Sequence, residues 1–189
     1  MNLKIASSNL NQTPLAWEKN FSNIRNSIND ARKKNVKILC FPELSITGYS
    51  CQDLFFNSWF INKSEKYLKE VVKLCDGMTV LIGHPLKYSG KLYNAVSIIK
   101  NKEIKGCFIK SNLPNDGIHY EKRWFEPWRL GEIKEHIFDK KKVPIGTIQY
   151  EFSDSLTLGF EICRDSWDTE RPAKYLSLIH ISEPTRQIV

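Results

Sequence analysis

The sequence contains no apolar run approaching the roughly 20 residues that span a bilayer, so no membrane-crossing helix is expected. Its opening stretch, MNLKIASSNL, alternates as a short strand does and lacks the apolar centre of a secretion signal. These two absences predict a cytoplasmic protein with no membrane partner. Cysteine is present but unorganised. The five thiols, Cys40, Cys51, Cys75, Cys107 and Cys163, are odd in number, and none forms a CxxC pair or a cysteine–histidine spacing suited to zinc. His84, His119, His136 and His180 form no cluster either, so no metal site is expected. Free thiols, at most one with a chemical role, are the reading that remains. No glycine-rich loop follows any strand pattern, which argues against a nucleotide-phosphate cradle in these residues. No repeat, linker or low-complexity segment interrupts the 189 residues, and one ordinary domain is the expectation.

What is present is a globular composition, 41% hydrophobic, with a net charge of +7. The charge comes from lysines scattered among Asn and Ile, as in RKKNVK and IIKNKEIK. It does not come from an Arg-rich helix or a basic strip interleaved with aromatics. A solvated surface explains it, and no nucleic-acid partner is expected.

Residues 3–8 alternate as a strand. Trp17, Phe21, Ile24, Ile28 and Ala31 then step by four and three along one helix face, with Thr13 and Pro14 as the start signal. VKILCF (36–41) and MTVLIG (78–83) are short buried-type strands around a second helical pattern over 63–75. Residues 93–110 predict a hairpin turning at Asn101 and Lys102, and 145–152 and 156–162 predict two more strands. Strands alternating with helices, then hairpins, point to an α/β layered sandwich with a buried sheet.

Three ionisable residues end apolar strands: Glu43 after VKILCFP, Lys110 after KGCFI and Cys163 after LTLGFEI. Each alone has a plainer reading, as a cap, a solvated amine and a core thiol. Ligands in open α/β sheets bind outside the carboxyl ends of strands, where the three could converge. Together they supply the parts of thiol-based amide hydrolysis. A thiol needs a nearby base, a carboxylate in a dry pocket has a raised pKa suited to that work, and a lysine with a backbone N–H can hold an oxyanion.

FPELSITGY, FIKSNLPNDGIHYEKRWFEPW and GFEICRDSW, in that order, resemble the three catalytic blocks of the nitrilase, or carbon–nitrogen hydrolase, superfamily. The resemblance implies a nitrilase-type α-β-β-α sandwich. Within the superfamily, ELSITGYSCQDLF, LIGHPL, YNAVSII and PNDGIHYEKRWFEPW are most similar to the glutaminase-domain branch of the glutamine-dependent NAD synthetases. That branch implies Cys163 as nucleophile, Glu43 as general base, and Lys110 with the backbone N–H of Arg164 as oxyanion donors. It implies Glu121 as a second acid positioning the lysine. Asp116 stands where many relatives carry a Tyr lining the glutamine pocket, and Arg164 where they often carry Glu. Neither departure removes a chemical group from the mechanism, though both concern substrate contacts.

The partners implied are glutamine here, and ATP, magnesium and deamido-NAD in a synthetase domain that these residues do not include, with a homo-oligomer when complete. No cofactor is implied for the glutaminase portion. The resemblance covers 1–176, a partial domain incomplete at its C-terminus. LSLIHISEPTR, from Leu176, resembles an in-frame translation of a sequencing-library adapter, so 177–189 reads as a non-native tail and the chain by itself as inactive. A stand-alone amidase acting on a small amide is the alternative within the superfamily.

Overall fold

The computed structural model describes residues 3–179, and a seven-stranded mixed sheet runs through it. In spatial order its strands are β1 (Ile5–Ser7), β2 (Ile38–Cys40), β3 (Thr79–Tyr88), β4 (Lys91–Lys100), β5 (Glu103–Ile109), β7 (Lys141–Gly146) and β6 (Ile133–Phe138). The first three are parallel, with Ile5, Ile38 and Thr79 in register. β3, β4 and β5 then run antiparallel. β7 joins β5 in parallel and pairs β6 antiparallel.

Helices α1 (Trp17–Lys33) and α2 (Ser58–Leu74) cover one face. Ile24, Ile28, Phe60, Leu68 and Val71 bury there with Val80 and Ile82 of β3. Leu81, between those two, points to the opposite face and packs with Ile98, Phe108, Tyr150, Phe160 and Ile162. That period of two is the pleat of a strand buried on both sides, and it explains why MTVLIG reads as a continuous apolar run. The second face carries a small sheet of β8 (Tyr150–Ser153) and β9 (Leu156–Leu158). A one-turn α3 (Glu121–Trp124) and α4 (Pro172–Ile179) complete the described residues. The result is the mixed α/β layering that the sequence predicts.

Several boundaries differ from expectation. α1 starts at Trp17 without a side-chain cap. The side chain of Asn20 instead reaches back to bond both the N–H and the carbonyl of Thr13. α2 begins at Ser58, five residues before the predicted start, because Phe60 and Ile61 lie on its buried stripe. The turn at Asn101 and Lys102 forms as predicted, both with positive φ. The predicted strand 145–152 is in fact two, separated at Gly146. Its φ is +122°, and a Cβ there would lie 2.3 Å from the Glu132 carbonyl oxygen and 2.6 Å from Trp128 Nε1. The predicted strand 156–162 ends at Leu158; Gly159–Ile162 continue outside any strand. At the C-terminal end α4 runs on to Ile179. The rest of the tail expectation, with His180, lies outside the described residues.

Candidate active site

Beyond β2 the chain turns so that Phe41 N–H donates to the Leu81 carbonyl at 2.8 Å and Ile46 N–H to that of Gly83 at 3.2 Å. The loop carrying Glu43 thus lies directly on β3. Gly83 permits the approach: a Cβ there would meet Leu44 N at 2.4 Å and Pro42 O at 2.7 Å, contacts that real Cβ atoms essentially never make. Lys110 follows β5, where its backbone N–H donates to the Asn94 carbonyl of β4 at 2.9 Å.

The Lys110 side chain is fully buried. Its Nζ donates to Glu43 Oε1 at 2.6 Å and to both oxygens of Glu121 at 2.8 Å. Asn94 Nδ2 donates to the same Glu43 oxygen at 2.6 Å, and the Tyr49 hydroxyl to Glu121 Oε1 at 2.6 Å. Burial raises the Glu43 carboxyl above its ordinary range; Lys110 opposes the shift and the Glu121 charge adds to it. For Lys110, burial works to deprotonate the amine, but Glu43 and Glu121 outweigh it and hold the pKa above the ordinary value. The cluster therefore centres on an ammonium between two carboxylates. Among the described residues no group of three or more metal-binding side chains could hold an ion.

Cys163 begins a 3₁₀ turn, Cys163–Ser166, with φ +46°. Left-handed backbone is unfavourable for a residue with a Cβ, and it lifts the side chain out of the line of the preceding segment. Cys163 is the exposed thiol of the five, while Cys40 is half-buried and the others are buried. Burial by its neighbours still pushes this thiol upward, and the Glu43 carboxylate pushes the same way. Lys110 and the backbone N–H of Arg164 pull it down. Cys163, Glu43 and Asn94 line one cavity of about 380 Å³, whose other walls include Phe41, Leu81 and Phe160.

Of the residues singled out in the sequence, Glu43, Lys110 and Glu121 are in direct contact, and Cys163 shares the cavity with Glu43. The Arg164 N–H faces the thiol. Asp116 is an exposed loop residue, and its partner is the other departure from the family pattern. Arg164 Nη1 lies 3.6 Å from Asp116 Oδ2, while its Nε lies 3.6 Å from Asp168. Three participants carried no assigned role in the sequence: Tyr49, Asn94 and Asp165. All lie inside quoted blocks, so the blocks marked the right segments without marking which polar residue turns inward.

Residues 4–177 match the carbon–nitrogen hydrolase family. Among curated proteins, the chain is 31% identical over 187 residues to glutamine-dependent NAD(+) synthetase of Arabidopsis thaliana, covering 93% of this chain and 26% of the relative. It is 32% identical over 178 residues to the protein of the same name from Thermotoga maritima, covering 93% and 28%. The crystal structure of a glutamine-dependent NAD(+) synthetase from Cytophaga hutchinsonii superposes with a TM-score of 0.83 at 39% identity, covering 86% of this chain and 28% of that one. The chain thus spans about a quarter of the length of these relatives.

Proposed function

Because the chain belongs to the carbon–nitrogen hydrolase family, we propose that it is the glutamine-hydrolysing module of a glutamine-dependent NAD synthetase. The observation that carries this reading is the buried Glu43–Lys110–Glu121 cluster, whose Glu43 lines the same cavity as Cys163. One ammonium and two carboxylates leave the cluster one negative charge in excess. A thiolate beside it would add a second, so the thiol proton must leave as the sulfur attacks. Glu43, its pKa raised, is the acceptor in reach of the same cavity.

The Cys163 sulfur bonds to the side-chain amide carbon of glutamine while Glu43 takes the proton. The oxyanion is held by Lys110 Nζ and the Arg164 N–H. Collapse breaks the carbon–nitrogen bond, and ammonia departs with the proton from Glu43. The γ-glutamyl thioester left on Cys163 is cleaved by a water that Glu43 deprotonates, which gives glutamate and restores the thiol. Glu121, itself held by Tyr49, positions the lysine. In a chain that also carries a synthetase domain, the ammonia would amidate deamido-NAD with ATP and magnesium, in a cytoplasmic homo-oligomer.

The test is covalent trapping. A glutamine analogue with a diazoketone in place of the amide should label Cys163, as located by peptide mass spectrometry, and glutamine should compete. Cys163→Ala should take up no label and release no glutamate. The apolar walls Phe41, Leu81 and Phe160 favour a second reading, a small aliphatic amide as substrate. Hydrolysis of butyramide with no competition by glutamine would select it.

A further inference from the structure

A single carboxylate bridges the segment after Lys110 and the turn bearing Cys163. Asp165 is fully buried and accepts three backbone N–H groups. Its Oδ1 takes those of Ser111 at 3.1 Å and Asn112 at 2.8 Å, the two residues that follow Lys110. Its Oδ2 takes that of Ile162 at 3.1 Å, the residue before Cys163. The Asp165 backbone N–H closes the turn by donating to the Ile162 carbonyl at 3.0 Å. Cys163 lies inside the loop that these contacts close. A left-handed residue with a Cβ persists only where its surroundings over-determine it, and here the surroundings are this one side chain and its own turn.

We infer that Asp165 is the positioning residue that sets the Cys163 thiol against the Lys110–Glu43 cluster, by fixing the left-handed turn and tying it to the backbone that leaves Lys110. The inference rests on the reading of Cys163, Lys110 and Glu43 as the reacting groups. The geometry requires a carboxylate. Three donors arrive on two oxygens, and an asparagine would present one oxygen and one amide group, leaving at least one buried N–H facing another donor. Asp168, on the same side of the site, is exposed to solvent and pairs with the Arg164 guanidinium, so it provides a matched change of charge without the tie.

The experiment is the pH profile of iodoacetamide alkylation on the full 189-residue chain, read by mass spectrometry on the Cys163 peptide. In the native protein its midpoint should lie above the ordinary thiol value, held there by burial and by Glu43. Asp165→Asn should move it down by about half a unit or more, because a released turn carries the thiol into water and away from Glu43. Asp168→Asn should leave it in place. Equal midpoints in the native chain and Asp165→Asn, or equal displacement in both variants, would overturn the inference. In a chain extended beyond residue 176 by the remainder of its domain, kcat of Asp165→Asn with glutamine should fall about a hundredfold with KM within about twofold. Absence of turnover in that extended chain would count against the glutamine reading while leaving the thiol titration to decide the positioning role.

If Asp165→Asn does not fold, the native chain decides by NMR. Burial raises the Asp165 carboxyl to about 6, and the charged group facing it is Lys110. The Ser111, Asn112 and Ile162 amide proton shifts should follow that carboxyl with one shared midpoint, and independent behaviour would overturn the tie.

Discussion

The two halves of the candidate site are held by different means. Glu43 and Lys110 stand just past the ends of β2 and β5, strands whose ladder partners β3 and β4 fix their direction and register. Cys163 stands beyond the end of β9, outside any ladder, on a turn with strained φ and one buried carboxylate to anchor it. The ladder half is largely dry: the Lys110 side chain has no exposed surface, and that of Glu43 about 16%, where it meets the cavity. The turn half is open to solvent at the sulfur. The difference follows from the work proposed for each. A base and a cation gain strength from low dielectric, whereas a nucleophile must be reached by its substrate. A sheet edge can deliver the first condition and a turn the second.

The sharpest way to break this comparison is to remove one member from each half. Lys110→Met should lower glutamine turnover by about 10²–10³-fold, the usual loss for an oxyanion donor. It should also lower unfolding free energy by about 3–5 kcal/mol, because Glu43 and Glu121 are left buried and uncompensated. Cys163→Ala should abolish turnover yet leave the urea midpoint nearly unchanged, since the side chain is exposed. Equal stability losses in the two variants would erase the distinction.

Acid should separate the halves by sign. His84 on β3 is buried, and the burial lowers its pKa to about 4; Nδ1–H donates to the Pro85 carbonyl and Nε2 accepts from Ser97. The unfolded chain therefore binds a proton first as pH falls from about 6.5 to about 4, and stability is lost across that window. Asp165 titrates the other way. Its folded pKa is raised to about 6, so the folded state holds the proton more firmly, and stability falls as pH rises from about 4 to about 6. Each shift corresponds to something on the order of 3 kcal/mol, so the two groups oppose each other between pH 4 and 6. His84→Asn should make stability rise on acidification and Asp165→Asn should make it fall, as read from urea unfolding at several pH values. Parallel slopes would remove the contrast.

Gly83→Ala is a smaller perturbation confined to the ladder half. The new Cβ pushes on Pro42 and Leu44 and should cost about 1–3 kcal/mol. It should slow turnover by displacing Glu43, while the product mass of Cys163 alkylation stays that of an accessible thiol. The smallest effect is expected at the rim. Asp116→Asn removes one partner of an exposed ion pair at 3.6 Å and should change stability by under about 1 kcal/mol, with double-mutant cycles against Arg164 to check it.

Much of this was legible in the sequence because each site block ends an apolar run with an ionisable residue. The strands around Leu39, Val80 and Phe108 announce themselves by burial on both faces. The hairpin of β6 and β7 does not. KEHIF mixes charge with apolar positions, and Pro144 argues against a strand although it sits inside β7, opposite Glu135. The break at Gly146 depends on Trp128, eighteen residues away in sequence, and no local pattern reports it. In RDS, after Cys163, three polar residues compete for one inward place. Only the fold shows that Asp165 takes it.

The raised pKa of the Cys163 thiol has a consequence for oxidative damage. Peroxide attacks thiolates, and the sulfenic acid so formed is the first rung of a ladder that ends in irreversible loss. A thiol kept protonated at rest by burial and by the Glu43 charge offers little thiolate to peroxide, even though its sulfur is exposed. On the proposed mechanism, reactivity arises only when a substrate carbonyl is in place and Glu43 can take the proton. The carboxylate proposed to enable attack on the amide would then also protect the empty protein, and Glu43→Gln should hasten the oxidation of Cys163 while slowing the proposed chemistry.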